Sequence, residues 1–400
     1  MKDEAKLLGC ILELGSLMLQ NGSETAKTEE RLYKLCDAYG FVHTDCFIIP
    51  TNIQLSVETT DGRIITQVCH VRKTGVNFML LDRVHKVYHY ALENTPSAAI
   101  FHDRLNRAKV YPAQPLYVTA LASFVSGGSF TVLFGGNVWD FFVGGFLAMF
   151  IGVGGTFYGK IEKNLFMYNM VFAFLCETAI LFLARNFSCF TPSSVTTGVV
   201  MMLISALATT NGVRDLLHRD YISGVENIII SVLGAGGIAT GITFSMLAFH
   251  SGSSITISEH GFFISLLSCS IGAIGFVIWF EVPKDKITAA CINVIGCWSI
   301  YAILFYLLGV SDFFSTLISA VFVAVYARVV ANHYHCPSTI FLTTGILPVI
   351  PGATLYQLLF AVTTNDPVLI REKGHSLAYA CIAIALGFLT SYLKPYIRRG

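Results

Sequence analysis

Charge is what this sequence has least of. Of its 400 residues only 13% are Asp, Glu, Lys or Arg, while 54% are hydrophobic. A soluble globular chain carries about 25% charged residues, so a single soluble core is excluded and lipid is indicated as the solvent for most of the chain. The net charge of +1 gives no support for a nucleic-acid surface. Cysteine pairs are missing too. The 11 cysteines are scattered without a C-x-x-C, and Cys269, Cys291, Cys297 and Cys381 fall inside apolar runs. They read as small packing residues in a reducing setting. No G-x-S-x-G elbow, H-E-x-x-H or Walker loop occurs, so neither an enzyme nor an ATP-driven pump is expected. His333-Tyr334-His335-Cys336 has no second ligand cluster to complete a metal site. No catalytic residue, metal or cofactor is expected.

What charge there is lies unevenly. Residues 1–112 hold 13 Lys/Arg and 13 Asp/Glu, and the rest of the chain holds 13 and 12. This places a domain boundary near Pro112, with a soluble N-terminal domain at 1–112. The opening Met1-Lys2-Asp3-Glu4-Ala5-Lys6 leads into an amphipathic segment, so no signal peptide is expected and the domain is expected to stay in the cytoplasm. Its pattern is α+β. Leu7, Leu8, Ile11, Leu12, Leu14 and Met18 recur at helical spacing, and a second helix is expected from Glu24 to Tyr39, with Ser23 as N-cap and Gly40 as stop. Ile53, Leu55, Val57 and Thr59 alternate like a strand, Asp61-Gly62 supplies a hairpin turn, and residues 64–68 return. Phe78, Leu81, Val84 and Tyr88 predict a further amphipathic helix ended by Pro96, and a basic stretch (Arg104, Arg107, Lys109) leads to Pro112.

Beyond that point apolar runs follow one another, each long enough for a hydrocarbon core of about 30 Å. Ten spans are read: 115–134, 138–158, 164–185, 192–212, 225–250, 261–281, 286–308, 312–331, 338–361 and 374–394. With the N-terminus inside, the inner flanks carry 13 Lys/Arg and the outer flanks 3, so both termini are expected in the cytoplasm of a bacterial inner-membrane protein. Ten spans divide into two sets of five, 113–250 and 251–400. A five-helix repeat must invert relative to its twin, a plan common to secondary transporters with the substrate at the repeat interface. Residues 203–211 of the fourth span and 349–356 of the ninth are matched in position. In the ninth, Pro348 and Pro351-Gly352 lie inside a membrane helix. Proline removes a backbone donor and crowds the preceding turn, and freed carbonyls at depth must meet protein or a polar cavity. A binding site and a purely structural kink are the two readings.

At these residues the chain resembles the threonine/serine exporter family over nearly its whole length. The matching pieces are Gly22-Ser23-Glu24-Thr25, Thr51-Asn52-Ile53, Asp61-Gly62-Arg63 and Arg72 through Asn77; then Thr209-Thr210-Asn211-Gly212-Val213-Arg214-Asp215 with Asp220 and Ser223-Gly224; then Cys336-Pro337-Ser338 and Ile346 through Ala353 with Tyr356. The resemblance implies a cytoplasmic N-terminal domain, ten membrane helices and export of small polar metabolites driven by the proton motive force. It implies a fused form of an arrangement that also exists as split chains associated with succinate export. The chain departs from the family at Ser205-Ala206, where Pro-Gly is usual, which leaves the first half without its helix breaker.

The polar residues at depth are the site candidates. Glu177 sits mid-span, and because desolvation favours a neutral carboxyl it reads either as a proton carrier or as a structural, hydrogen-bonded acid. Asp140 opens the second span and reads as interfacial or as a second coupling acid. Arg214 can receive a substrate carboxylate bidentately, or form an interfacial pair with Asp215. Thr209 and Thr210 can bond substrate or their own helix. With Asn211, Pro348, Pro351, Gly352 and Tyr356 they form the expected substrate site, and Glu177 and Asp140 the expected proton-coupling residues. The expected partners are a small polar metabolite, protons and the bilayer, without nucleic acid, and a homo-oligomer stays open. Threonine or serine leads as cargo; a dicarboxylate exporter and a metabolite channel are the alternatives.

Overall fold

The computed structural model describes residues 2–71, 75–158, 164–187, 189–204, 206–217, 219–249 and 260–390. They fall into two compact units. The first is Met1–Gln114 together with two short segments from much later in the chain, Phe280–Lys286 and Val330–Ile340. The second holds Pro115–Trp279, Ile287–Val329 and Phe341–Gly400.

The first unit is α+β. Helix α1 (Lys2–Gln20) buries Leu8, Ile11, Leu12, Leu14 and Met18 on one face. Helix α2 (Thr25–Ala38) starts one residue later than expected. Glu24 takes the N-cap position, and Ser23 instead accepts a bond from the Thr28 hydroxyl. Strands β1 (His43–Ile49), β2 (Asn52–Glu58) and β3 (Ile64–His70) form an antiparallel sheet in that order. The β2–β3 hairpin turns at Asp61-Gly62, where Gly62 has φ +77°, a left-handed conformation that glycine adopts without steric cost. Strand β1 had no clear signature in the sequence. Its residues alternate between exposed and half-exposed for most of its length, so no apolar face marks it. Helix α3 (Phe78–Asn94) is capped by Asn77, whose Oδ1 accepts the Leu80 N–H at 2.9 Å. Helix α4 (Ala98–Lys109) stands where the sequence reading had only a basic stretch, with Phe101, Leu105 and Ala108 buried along one stripe.

The two late segments are built into this unit by buried polar contacts. Lys286 is 2% exposed and lies 3.3 Å from Asp82 Oδ1 and 3.0 Å from Asp285 Oδ2. Asp82 also pairs with Lys86 at 2.9 Å. The Asn77 amide donates to Glu281, and the Phe78 N–H donates to the Phe280 carbonyl. Glu24 accepts from Lys27 at 2.8 Å and from the Thr339 hydroxyl, while Lys27 also donates to Ser338. Such contacts hold an arrangement mainly because leaving one partner alone and buried is costly. His85, buried beside this cluster, is pushed down to about 2 by desolvation and then by the positive charge of Arg31, His89, Lys286 and Lys86, so it stays neutral.

The second unit is all-helical among the described residues. Its elements are α5 (Leu116–Leu133), α6 (Val138–Tyr158), α7 (Leu165–Asn186), α8 (Pro192–Val200), α9 (Ala206–Leu217), α10 (Tyr221–Phe249), α11 (Phe262–Trp279), α12 (Ile287–Ala302, continued by a π turn to Leu307), α13 (Asp312–Tyr334), α14 (Thr339–Ile346), α15 (Gly352–Thr363) and α16 (Pro367–Leu389). The ends of α13 and α14 nearest residue 335 belong to the first unit. Among the described residues seven helices are long and apolar enough to cross a membrane singly, and Thr339–Val349 with Gly352–Thr363, bent by 57°, makes an eighth when the pair is taken as one span. Glycines let these helices approach closely. A side chain at Gly237 or Gly241 of α10 would strike the Phe166 or Met170 carbonyl of α7.

Beyond the ninth, which is the bent pair, two of the ten expected spans do not appear as crossing helices, each for an identifiable reason. The fourth is cut into pieces of 9 and 12 residues, each short of the roughly 20 a crossing helix needs. The tenth, α16, spends its first turns on Arg371, Glu372 and Lys373, and residues 391–394 of its expected run lie outside the described residues.

Candidate functional site

Both helix breaks lie in the second unit. The first separates α8 from α9. Helix α8 stops at Val200, residues Met201–Leu203 turn, and α9 begins at Ala206. Ser205 lies outside the described residues, but the break itself answers the expectation that this half lacked one. No proline makes it. Instead Asn169, fully buried on α7, donates its amide to the Leu203 carbonyl at 3.2 Å and to the Gly234 carbonyl of α10 at 2.9 Å. A carbonyl released at the end of a helix must find a donor when water is absent, and Asn169 supplies it.

The second break is written by proline. Pro348 sits in a 3-10 turn at Leu347–Val349, and Pro351 occupies the N-cap position of α15, with Gly352 as its first residue. Here too a buried asparagine is at hand. Asn293 of α12 donates to the Phe341 carbonyl of α14 at 2.8 Å and packs against Gly345. The two breaks face each other. A Cβ on Gly352 would lie 3.3 Å from the sulfur of Met201 and 3.5 Å from Ile204, both in the first break.

Glu177 borders this junction. It is 2% exposed on α7 and accepts a 2.7 Å hydrogen bond from the Thr196 hydroxyl, one turn before α8 ends. Tyr356 is buried one turn into α15, the helix that packs on α8, which carries Thr196. Glu177, Pro351, Gly352 and Tyr356 therefore gather at the paired breaks, with Pro348 in the turn leading to them.

The other expected site residues lie elsewhere or are only partly described. Asp140 is fully buried, and its two oxygens accept the backbone N–H groups of Asn137 and Thr191 at 2.8 and 2.9 Å. It holds the residue preceding α8, so a carboxylate stands at that helix's N-terminus, where the dipole favours it. Arg214 and Asp215 are both buried, 3.3 Å apart, and Asp215 also accepts from Asn227 of α10. They lie eight or more residues along α9, about 12 Å beyond the break at 1.5 Å per residue. Asn211 is half-buried on α9; Thr209 and Thr210 belong to the same helix, but their side chains lie outside the described residues.

Sequence reasoning passed over Asn169, Asn293 and Thr196. The signal was present for the asparagines. Each is a lone amide inside an apolar helix, between Tyr168 and Met170 and between Ile292 and Val294, and polar groups at that depth are functional candidates by default.

Family models match most of the chain. One described as "Putative threonine/serine exporter" matches residues 10–249, and one described as "Threonine/Serine exporter, ThrE" matches residues 265–393. The chain is similar to a protein of Corynebacterium glutamicum named "Threonine/serine exporter", with 23% identity over 399 residues, covering 94% of this chain and 79% of the relative. It is similar to a protein of Mycobacterium tuberculosis named "Probable threonine/serine exporter", with 21% identity over 420 residues, covering 99% of this chain and 78% of the relative. No solved structure matches.

Proposed function

The chain belongs to the threonine/serine exporter family, a family of membrane transporters and not of enzymes, and from that premise we propose that it is a secondary exporter of threonine and serine driven by the proton motive force. The observation that carries the reading is the meeting of two broken helices beside the buried carboxyl of Glu177. Broken helices expose polar backbone at depth, which is how many secondary transporters build a substrate site, and an acid in the same place can carry the coupled proton.

In this proposal the protein sits in the bacterial cytoplasmic membrane with both termini inside. The seven single spans and the bent pair are joined by α8 with α9 as one span and α16 as another, which makes ten. They form two five-helix repeats of inverted topology, with the paired breaks as the fourth member of each. Met201, Ile204, Gly352 and Tyr356 border the substrate. Glu177 alternates between a protonated form that donates to its surroundings and an ionised form that accepts from Thr196. Asp140 holds the start of α8, and Arg214 with Asp215 guards the far end of α9, where the guanidinium can meet a substrate carboxylate on its way.

Efflux from preloaded proteoliposomes tests this. Labelled threonine, serine and succinate are compared with and without an imposed pH gradient, for the wild type and Glu177→Gln. Gradient-driven efflux of threonine and serine, uncoupled in the variant, is expected. Efflux of succinate alone would replace the cargo, and flux indifferent to the gradient in the wild type would make the protein a channel.

A further inference from the structure

Asn169 and Asn293 share an unusual state. Both side chains are fully buried, both spend their amide N–H groups on backbone carbonyls, and in both the carbonyl oxygen Oδ1 has no hydrogen-bond partner among the described residues. The amide orientation is fixed by what surrounds it. Turning Asn169 over would set its Oδ1 against two carbonyl oxygens, Leu203 and Gly234, and turning Asn293 over would set its Oδ1 against that of Phe341. A buried acceptor without a donor costs about 1–3 kcal/mol, so two beside one junction ask for a reason.

Their positions supply one. Asn169 is bonded to Leu203, the neighbour of Ile204, and Ile204 lies against Gly352 of the second break. Asn293 lies against Gly345 and bonds Phe341 in the helix leading into that second break, whose 3-10 turn packs on α12, the helix that carries Asn293. Each asparagine therefore abuts one of the two facing breaks. Both unpartnered groups are acceptors, and what they lack is a donor.

We propose that Asn169 and Asn293 are substrate-binding residues whose Oδ1 atoms accept hydrogen bonds from the ammonium group of an amino acid held between the breaks. The inference rests on the exporter reading above and deepens it. An ammonium brings three N–H donors, enough for both oxygens. A dicarboxylate is acceptor-only when ionised and gives neither oxygen a partner. The site thus selects for a protonated amine through a neutral pair of amide carbonyls. Such selection is strong because a substrate lacking the donor leaves buried groups unpaired.

The test compares serine with glycerate, which keeps the β-hydroxyl and the carboxylate but carries a single O–H donor where serine has an ammonium with three, too few for both oxygens. Purified full-length protein is reconstituted, and KM and maximal rate are measured for both compounds in the wild type, Asn169→Ala and Asn293→Ala. The wild type is expected to prefer serine by at least about tenfold in KM. Each variant should raise the KM for serine about tenfold more than that for glycerate, so the preference collapses even where loss of the amide's structural bonds slows both compounds. A merely structural role would lower the maximal rate for both compounds alike and leave the preference intact, which overturns the proposal. If a variant does not fold, the wild-type comparison still decides, because equal KM values for serine and glycerate sink the idea. Ligand-induced thermal stabilisation of the detergent-solubilised wild type separates the two levels. Stabilisation by serine and not by glycerate, without any flux, would keep the ammonium site and remove the exporter reading.

Discussion

The two broken spans reach the same geometry by different means. In α14–α15 the break is local. Pro348 and Pro351 remove backbone donors, a 3-10 turn replaces the helix, and Gly352 restarts it after a 57° bend. In α8–α9 no proline intervenes, and the break depends on a neighbour, since Asn169 reaches from α7 to hold the Leu203 carbonyl. The starts of the two spans differ as well. The backbone just before α8 is held by Asp140 from within the helical unit, whereas Thr339 at the start of α14 is held by Glu24 of the N-terminal unit. A break can thus be encoded in its own residues or borrowed from tertiary structure, and the borrowed kind is the more fragile under single substitution.

Asn169→Leu should do the most damage. It leaves the Leu203 and Gly234 carbonyls without their donor in an apolar setting, at a cost of about 3 kcal/mol in all, read as a lower thermal midpoint in detergent. Equal tolerance of Asn169→Leu and Pro348→Ala would erase the distinction between borrowed and local breaks. Asp140→Ala is next, stranding the N–H groups of Asn137 and Thr191 for about 2 kcal/mol, again by thermal unfolding. Gly352→Val should wedge the facing breaks apart against Met201 and Ile204 and slow efflux about tenfold, or about 1.4 kcal/mol, with little change in the amount of folded protein. Glu24→Gln weakens the charged hold on Lys27 and Thr339 by about 1 kcal/mol, measured as earlier unfolding of the N-terminal unit. The double change Ser205→Pro with Ala206→Gly should alter efflux less than about twofold, because the helix already stops at Val200 and resumes at Ala206. A large loss there would mean that the borrowed break has a shape proline cannot share.

The same contrast explains what could be read from the sequence. Spans such as α5, α6, α7 and α13 are legible because a long apolar run has one outcome in a bilayer. The second break is legible because proline acts on its own backbone. The first was not, since its cause lies more than 30 residues away in Asn169. Glu177 announced itself as a lone acid at depth, but its partner Thr196 looked like any helical threonine. Asp140 was marked as an acid at a span's edge, and only the folded chain shows that both of its oxygens are engaged by backbone. In the N-terminal unit, β2, β3 and α3 carried period-2 or helical stripes, while β1 bunches its apolar residues at Cys46–Ile49 without alternation and α4 buries a stripe of only Phe101, Leu105 and Ala108 among polar neighbours.

The inclusion of Phe280–Lys286 in the first unit also sets a schedule for synthesis. Asn77 waits for Glu281, 204 residues further along the chain. At a translation rate of about 5–20 residues per second, that is a delay of roughly 10–40 seconds. Through that interval the helices from α5 to α11 must leave the ribosome while Asp82 still lacks Lys286. The first part of the protein to be made is therefore among the last to be finished, and because Val330–Ile340 also belong to it, its completion waits until the helices through α13 have been made.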